Sequence, residues 1–224
     1  MVDTSSNLRS SHENRNYRRN RHFRTGVYAE AHKRGHEVVA VVRDGAKARD
    51  LFGEDAVIIE KDALELASTD LAGLEVVVNA FSTSPDTAEK HIELSRNLVA
   101  AASANTRLVF ILGAGSLTNP ETGRPFVEVL RELPDAAAWI NIPEQQFKQL
   151  EYLRTVDDVQ WVGVSPQAQY PAEGPATTPQ LGTDSLLLAA DGQSHTTAGT
   201  MAIAIVDEIE NPQHRNTRFT VSDA

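Results

Sequence analysis

Apolar residues along this chain fall into two spacings that alternate from residue 27 to residue 112. Short runs rich in Val, Ile and Leu occupy 37–43, 56–62, 74–80 and 108–112. Each is too short for a helix core and too continuous for a strand exposed on one face, which suits buried strands. Between them, 27–33, 44–52, 64–71 and 86–103 carry apolar residues at helical spacing, the last with Ala88, Ile92, Leu94, Leu98 and Val99. The alternation predicts βαβ units, and so an α/β fold on a doubly wound parallel sheet with helices on both faces. Beyond 117 the pattern loosens. Residues 118–134 are predicted to form a loop, and 143–154 a helix opened by proline. A strand at 159–165 meets Pro166, and 167–184 is predicted to loop over the site. A helix at 197–209 has Thr197 as its cap, and 218–222 form a closing strand. A bare nucleotide fold needs less chain, so 117–224 are expected to build a substrate pocket.

One stretch organises the candidate chemistry. Residues 107–117 read Arg-Leu-Val-Phe-Ile-Leu-Gly-Ala-Gly-Ser-Leu. The apolar run ends in Gly113, Ala114 and Gly115, where a backbone can turn sharply and approach a ligand before Ser116 presents a hydroxyl. Ligands of open α/β sheets sit at the carboxyl ends of the strands. Ser116 is therefore the first residue expected to touch substrate.

Charge narrows the partners. The chain has 224 residues, no cysteine and a net charge of −10. Residues 1–24 hold six arginines against Asp3 and Glu13, a local +4, which leaves −14 on the rest. A body that acidic repels nucleic acid and anionic membrane, and no apolar run is long enough to span a bilayer. A small-molecule substrate, a monomer or homodimer and a cytoplasmic setting are expected. The seven histidines show no pair at metal-ligand spacing, so no metal site is expected.

Several segments together carry a resemblance. They are Arg34-Gly-His-Glu-Val with Val-Val-Arg43, Asp62, Asn79-Ala-Phe81, Leu112-Gly-Ala-Gly-Ser-Leu117, Trp161-Val-Gly-Val-Ser-Pro166, Asp207 to His214, and Arg218-Phe-Thr-Val. In this order the chain resembles the atypical short-chain dehydrogenase/reductases. The nearest branch is the NAD(P)H-binding proteins that include NADH-flavin reductase-like, biliverdin-IXβ reductase-like and NmrA-like members. The resemblance implies a Rossmann-like fold and a bound nicotinamide nucleotide. The adenine would lie near Asp62 and the sheet edge at Asn79, Ala80 and Phe81. Arg43 would grip a ribose 2′-phosphate, which favours NADP over NAD, and Gly113 and Ser116 would lie by the nicotinamide. Arg43 as a solvated strand end, Asp62 as a helix cap and Ser116 as a turn hydroxyl bonded to backbone remain the structural alternatives.

The chain departs from the family in places that bear on chemistry. The Tyr with a Lys four residues on, used for proton transfer in the fuller reductases, is missing. The helix at 143–154 offers Phe147-Lys148 and Tyr152 without that spacing. Thr200-Met201 stands where relatives have an acidic and an aromatic residue, and Pro175-Ala-Thr-Thr178 where they carry Arg-Thr-Gly. The implied activity is hydride transfer to a small flavin-like, quinone or carbonyl acceptor. A non-catalytic NmrA-like NAD(P) sensor and an NAD(P)-dependent epimerase are the alternatives.

Residues 1–26 fit none of this. A Rossmann-like domain begins with a buried strand and a glycine turn whose N–H groups meet the diphosphate. Counting back from Ala31 and Arg34-Gly-His, the turn's glycines fall at 18, 21 and 24, and all three positions are arginine. Read one base upstream, glycine and alanine codons yield arginine, threonine yields asparagine and an initiating methionine yields histidine. Residues 12–21, His-Glu-Asn-Arg-Asn-Tyr-Arg-Arg-Asn-Arg, are what Met-Lys-Ile-Ala-Ile-Ile-Gly-Ala-Thr-Gly gives out of frame. The expectation is a frameshifted first strand and turn over 1–26, with a start at position 12, frame restored near Val27, and one domain over 27–224. A basic arm or a transit-like presequence leaves arginine on the glycine register unexplained. As written, the chain is expected to lack its first strand, to expose an apolar edge there and to bind NADP poorly.

Overall fold

The computed structural model describes residues 2–3 and 25–224. In chain order the elements are β1 (Val2–Asp3), α1 (25–33), β2 (Val39–Val42), α2 (Gly45–Phe52), β3 (Val57–Glu60), β4 (Val76–Asn79), α3 (Lys90–Ala101) and β5 (Arg107–Ile111). They continue with α4 (Phe126–Arg131), α5 (Asn141–Leu153), β6 (Trp161–Ser165), β7 (Gln169–Ala172), β8 (Gln180–Gly182), β9 (His195–Thr197), α6 (Ala198–Glu210) and β10 (Thr217–Ser222). One sheet runs β1-β2-β3 and a second β4-β5-β6-β10-β8, with β7 and β9 a separate pair. All pairings are parallel except β8, which runs antiparallel along β10.

Successive strand residues point to opposite faces, and here both faces are covered. Val77, Leu108 and Phe110 face α3 and α5, packing on Leu94, Leu98, Leu150 and Leu153. Val41 of the first sheet joins the same core, so the two sheets share this face. Val78, Val109, Val162, Val164, Phe219 and Val221 face the other way, against Val27 of α1 and Met201, Ala202 and Ile205 of α6. Each fully buried side chain of this size contributes about 1.5–3 kcal/mol. Trp161, the largest, is satisfied as well as buried, since its Nε1 donates to the Val156 carbonyl at 3.1 Å. The expected doubly wound α/β architecture is therefore present.

Four expectations about elements are corrected. Residues 64–71 do not form a helix. A short 3-10 turn, Ala63–Glu65, is capped by Asp62, and Asp70 then accepts from Lys61 Nζ and the Ala67 N–H, folding the chain back locally. The predicted loop at 118–134 contains α4, and that at 167–184 contains β7 and β8. β8 forms because β10 has a free edge for it. The first strand is not wholly missing: Val2, a β-branched residue in a mostly polar opening segment, lies opposite Val41, and Asp3 lies opposite Val42. That pairing is two residues long. Among the described residues β4 is the outermost strand of its sheet, so the two sheets are not joined by a pairing there. Positions 18, 21 and 24, the expected glycine turn, lie outside the described residues.

Candidate functional site

The candidate residues follow the C-terminal ends of parallel strands, in two groups. Arg43 and Asp62 belong to the first sheet, after β2 and β3, which are paired with Val42 opposite Glu60. Arg43 is exposed, and its guanidinium makes no ion pair among the described residues. Asp62 accepts from the Leu64 N–H at 3.0 Å, so it does cap the turn that follows. Its neighbour Lys61 is bound to Asp70 at 2.6 Å.

The second group lies on β4 and β5, where Asn79 stands opposite Phe110. Asn79 is buried, and its Oδ1 accepts from the Phe81 N–H at 3.0 Å, bending the chain out of the strand in an Asx turn. Ala80 and Phe81 are also buried. The Phe81 ring packs edge-on against His91, with centroids 5.3 Å apart, and belongs to the α3–α5 core. Its side chain is therefore committed to packing.

After β5 the chain turns through Gly113 into a 3-10 turn, Ala114–Ser116. Gly113 has φ −95°, which any residue adopts, so glycine is not required there by its backbone angle. Space is the constraint: a Cβ at Gly113 would lie 2.3 Å from Gln146 Oε1, and one at Gly115 would lie 2.9 Å from Pro143 Cβ. Both contacts come from α5. The glycines let that helix close on the turn.

Ser116 is half-buried, and its Oγ accepts from Arg218 Nη1 at 3.2 Å. It is thus not the backbone-bonded turn hydroxyl of the structural alternative. The same nitrogen donates to Ser165 Oγ at 3.1 Å, and Ser165 in turn donates to the Gly113 carbonyl at 3.1 Å. Arg218 Nε donates to Asp184 at 2.9 Å, and Nη2 donates to the same oxygen. Burial pulls the Arg218 pKa below its usual value, a shift that the bonds to Asp184 only partly offset. The cation persists because a guanidinium starts so far above neutrality.

Arg218, Asp184, Ser165 and Gln146 were not among the candidates from the sequence. A single signal was available for Arg218, a lone charge opening an otherwise buried strand. Its partner Asp184 stands 34 residues away in the chain, inside a predicted loop. Among the described residues no group of three or more His, Cys, Asp or Glu is placed to hold a metal. No helix there is long and apolar enough to cross a membrane.

A match to the family described as NAD(P)H-binding covers residues 25–212. The chain belongs to that NAD(P)H-binding family. The protein YwnB of Bacillus subtilis, itself uncharacterized, is 35% identical over 198 residues, 87% of this chain and 91% of its own. The solved structure of a Lactobacillus casei protein, 35% identical, superposes with a TM-score of 0.81 over 91% of this chain and 95% of that one. SP1627 of Streptococcus pneumoniae, named "a putative NADH-flavin reductase", is 29% identical and superposes with a TM-score of 0.80 over the same shares. The family likeness to atypical short-chain dehydrogenase/reductases and the Rossmann-like fold both hold, and an NAD(P)H-binding oxidoreductase type is the functional level that they reach.

Proposed function

We propose that this protein binds NADP, in preference to NAD, across the tips of β2 to β5 and passes hydride to a small flavin-like, quinone or carbonyl acceptor. The observation that carries this is the hydrogen-bonding capacity left at those tips among the described residues: the Arg43 guanidinium, which meets no ion-pair partner there, at one end and, at the other, the Ser116 hydroxyl proton, which meets no acceptor there. Arg43 would hold the 2′-phosphate bidentately. The backbone at Asn79, Ala80 and Phe81 would border the adenine with Asp62. Gly113 and Ser116 would frame the nicotinamide, with residues 117–224 supplying the acceptor pocket. The reduced nicotinamide supplies the hydride when bound. Ser116 donates a hydrogen bond to a ligand oxygen. Among the described residues no Tyr-Lys pair faces the turn, where α5 presents Pro143 and Gln146, so the accompanying proton comes from solvent.

That same feature of α5 favours a second reading, a non-catalytic NAD(P) sensor of the NmrA-like kind. An epimerase would need a proton-transfer group at the turn, and neither α5 side chain supplies one. NADPH oxidation in the presence of FMN, quinones and small carbonyl compounds separates the readings. Turnover with any of them supports the reductase, saturable binding without turnover supports the sensor, and no binding contradicts both. Titration of an Arg43→Ala variant should weaken NADPH binding about tenfold or more and leave NADH unchanged, as expected for loss of a charge-assisted contact.

A further inference from the structure

Arg218 is the most heavily built feature that the proposed reaction leaves without a role. Its side chain is 1% exposed, on a strand covered on both faces. Burying a charge there carries a desolvation cost that an apolar side chain would avoid, so packing alone does not account for it. The fork is directed rather than diffuse. Nε and Nη2 are both fixed on Asp184, which Arg154 Nη2 also holds at 3.0 Å. The remaining nitrogen, Nη1, is left for Ser165 Oγ at 3.1 Å and Ser116 Oγ at 3.2 Å.

A guanidinium donates and cannot accept. Ser116 Oγ must therefore be the acceptor toward the sheet, and its single proton must point away from Arg218. Ser165 ties the other end of the turn, the Gly113 carbonyl, to the same nitrogen. We infer that Arg218 is the positioning residue of the site. It fixes the rotamer and polarity of Ser116 so that the hydroxyl is presented outward as a donor to a carbonyl-type oxygen, and its charge behind Oγ strengthens that donation. The oxygen belongs either to the nicotinamide carboxamide or to the acceptor. This inference rests on Ser116 facing the ligand, as proposed above.

A double-mutant cycle tests it on the full-length chain, with binding as the readout. NADPH is titrated up to millimolar concentration by saturation-transfer NMR, and FMN by fluorescence quenching in the presence of NADP. Ser116→Ala should weaken one of the two by about 3- to 10-fold, the range for one lost hydrogen bond. An effect on NADPH assigns the carboxamide, and one on FMN the acceptor oxygen. Arg218→Lys should weaken the same ligand comparably, yet by less than about twofold in the Ser116→Ala background, because a residue acting through Ser116 has nothing left to act on. Asp184→Ala, whose side chain is 56% exposed, carries the same cycle should Arg218→Lys fail to fold. Equal weakening in both backgrounds, or no effect of either variant beside a working Ser116, overturns the inference and leaves the proposed site standing. No effect of Ser116→Ala on either ligand overturns the role of Ser116 itself, and the inference with it.

Discussion

At the scale of single residues, the site is governed by what touches the Gly113–Ser116 turn, and the two glycines there differ in how they are crowded. The clash at Gly113 is with the far end of a flexible glutamine, which can swing away. At Gly115 it is with the Pro143 ring at 2.9 Å and its carbonyl at 3.2 Å, neither of which can rotate aside. Gly113→Ala should therefore cost under about 1 kcal/mol and Gly115→Ala about 1–3 kcal/mol, the range for forcing extra volume into a packed site. Urea unfolding of both variants checks the order; equal costs would mean that α5 is not seated on the turn as described. Ser116 stands out in the sequence as a candidate because a hydroxyl after an apolar run and a Gly-Ala-Gly turn is a local pattern. Arg218 does not, because its meaning depends on Asp184 and Ser116, which only the fold brings to it.

At the scale of elements, two histidines tie helices and strands together with opposite dependence on pH. His91, on α3 between Phe81 and the core, is buried with no partner for Nε2 among the described residues, and burial pulls its pKa down to about 4. The unfolded chain takes up that proton near pH 6.5, so stability falls as the pH drops from about 6.5 toward 4. At pH 5 the loss is about 2 kcal/mol, or roughly 4–8 °C in Tm for a chain of this size. His195 on β9 is the reverse case. Its hydrogen bond to Asp223 at 2.7 Å, aided by Asp191, raises its pKa, so its contribution is full below pH 6.5 and fades as the pH rises through the raised value. Thermal melts should peak between these limits, with His91→Leu removing the upper part of the acid limb and His195→Gln flattening the alkaline one. A profile unchanged in both variants would contradict the assignment. The strands and long helices of this region were readable from hydrophobic spacing. The segment at 64–71 misled because its apolar spacing suits a helix, whereas the bonds of Asp62 and Asp70 to nearby backbone favour a turn.

At the scale of the molecule, an ordinary NAD(P)H-binding body follows an opening that does not match it. From residue 25 onward the family match, the parallel strands and the helices on both faces agree. At the centre, where a Rossmann-like sheet carries its first strand, the two sheets are bridged by no pairing among the described residues, and β1 is two residues long. Arginine occupies 18, 21 and 24, the positions expected of three glycines whose backbone N–H groups would meet a diphosphate. We propose that the downstream half of the site is intact and that the diphosphate end is weakened, so binding survives at reduced affinity. Hydrogen–deuterium exchange of the full chain with and without millimolar NADPH tests this most directly. The expected result is slowed exchange at 43–44, 79–82 and 113–117, the tips of β2, β4 and β5. Unchanged exchange at those tips, or protection confined to other parts of the chain, would contradict it.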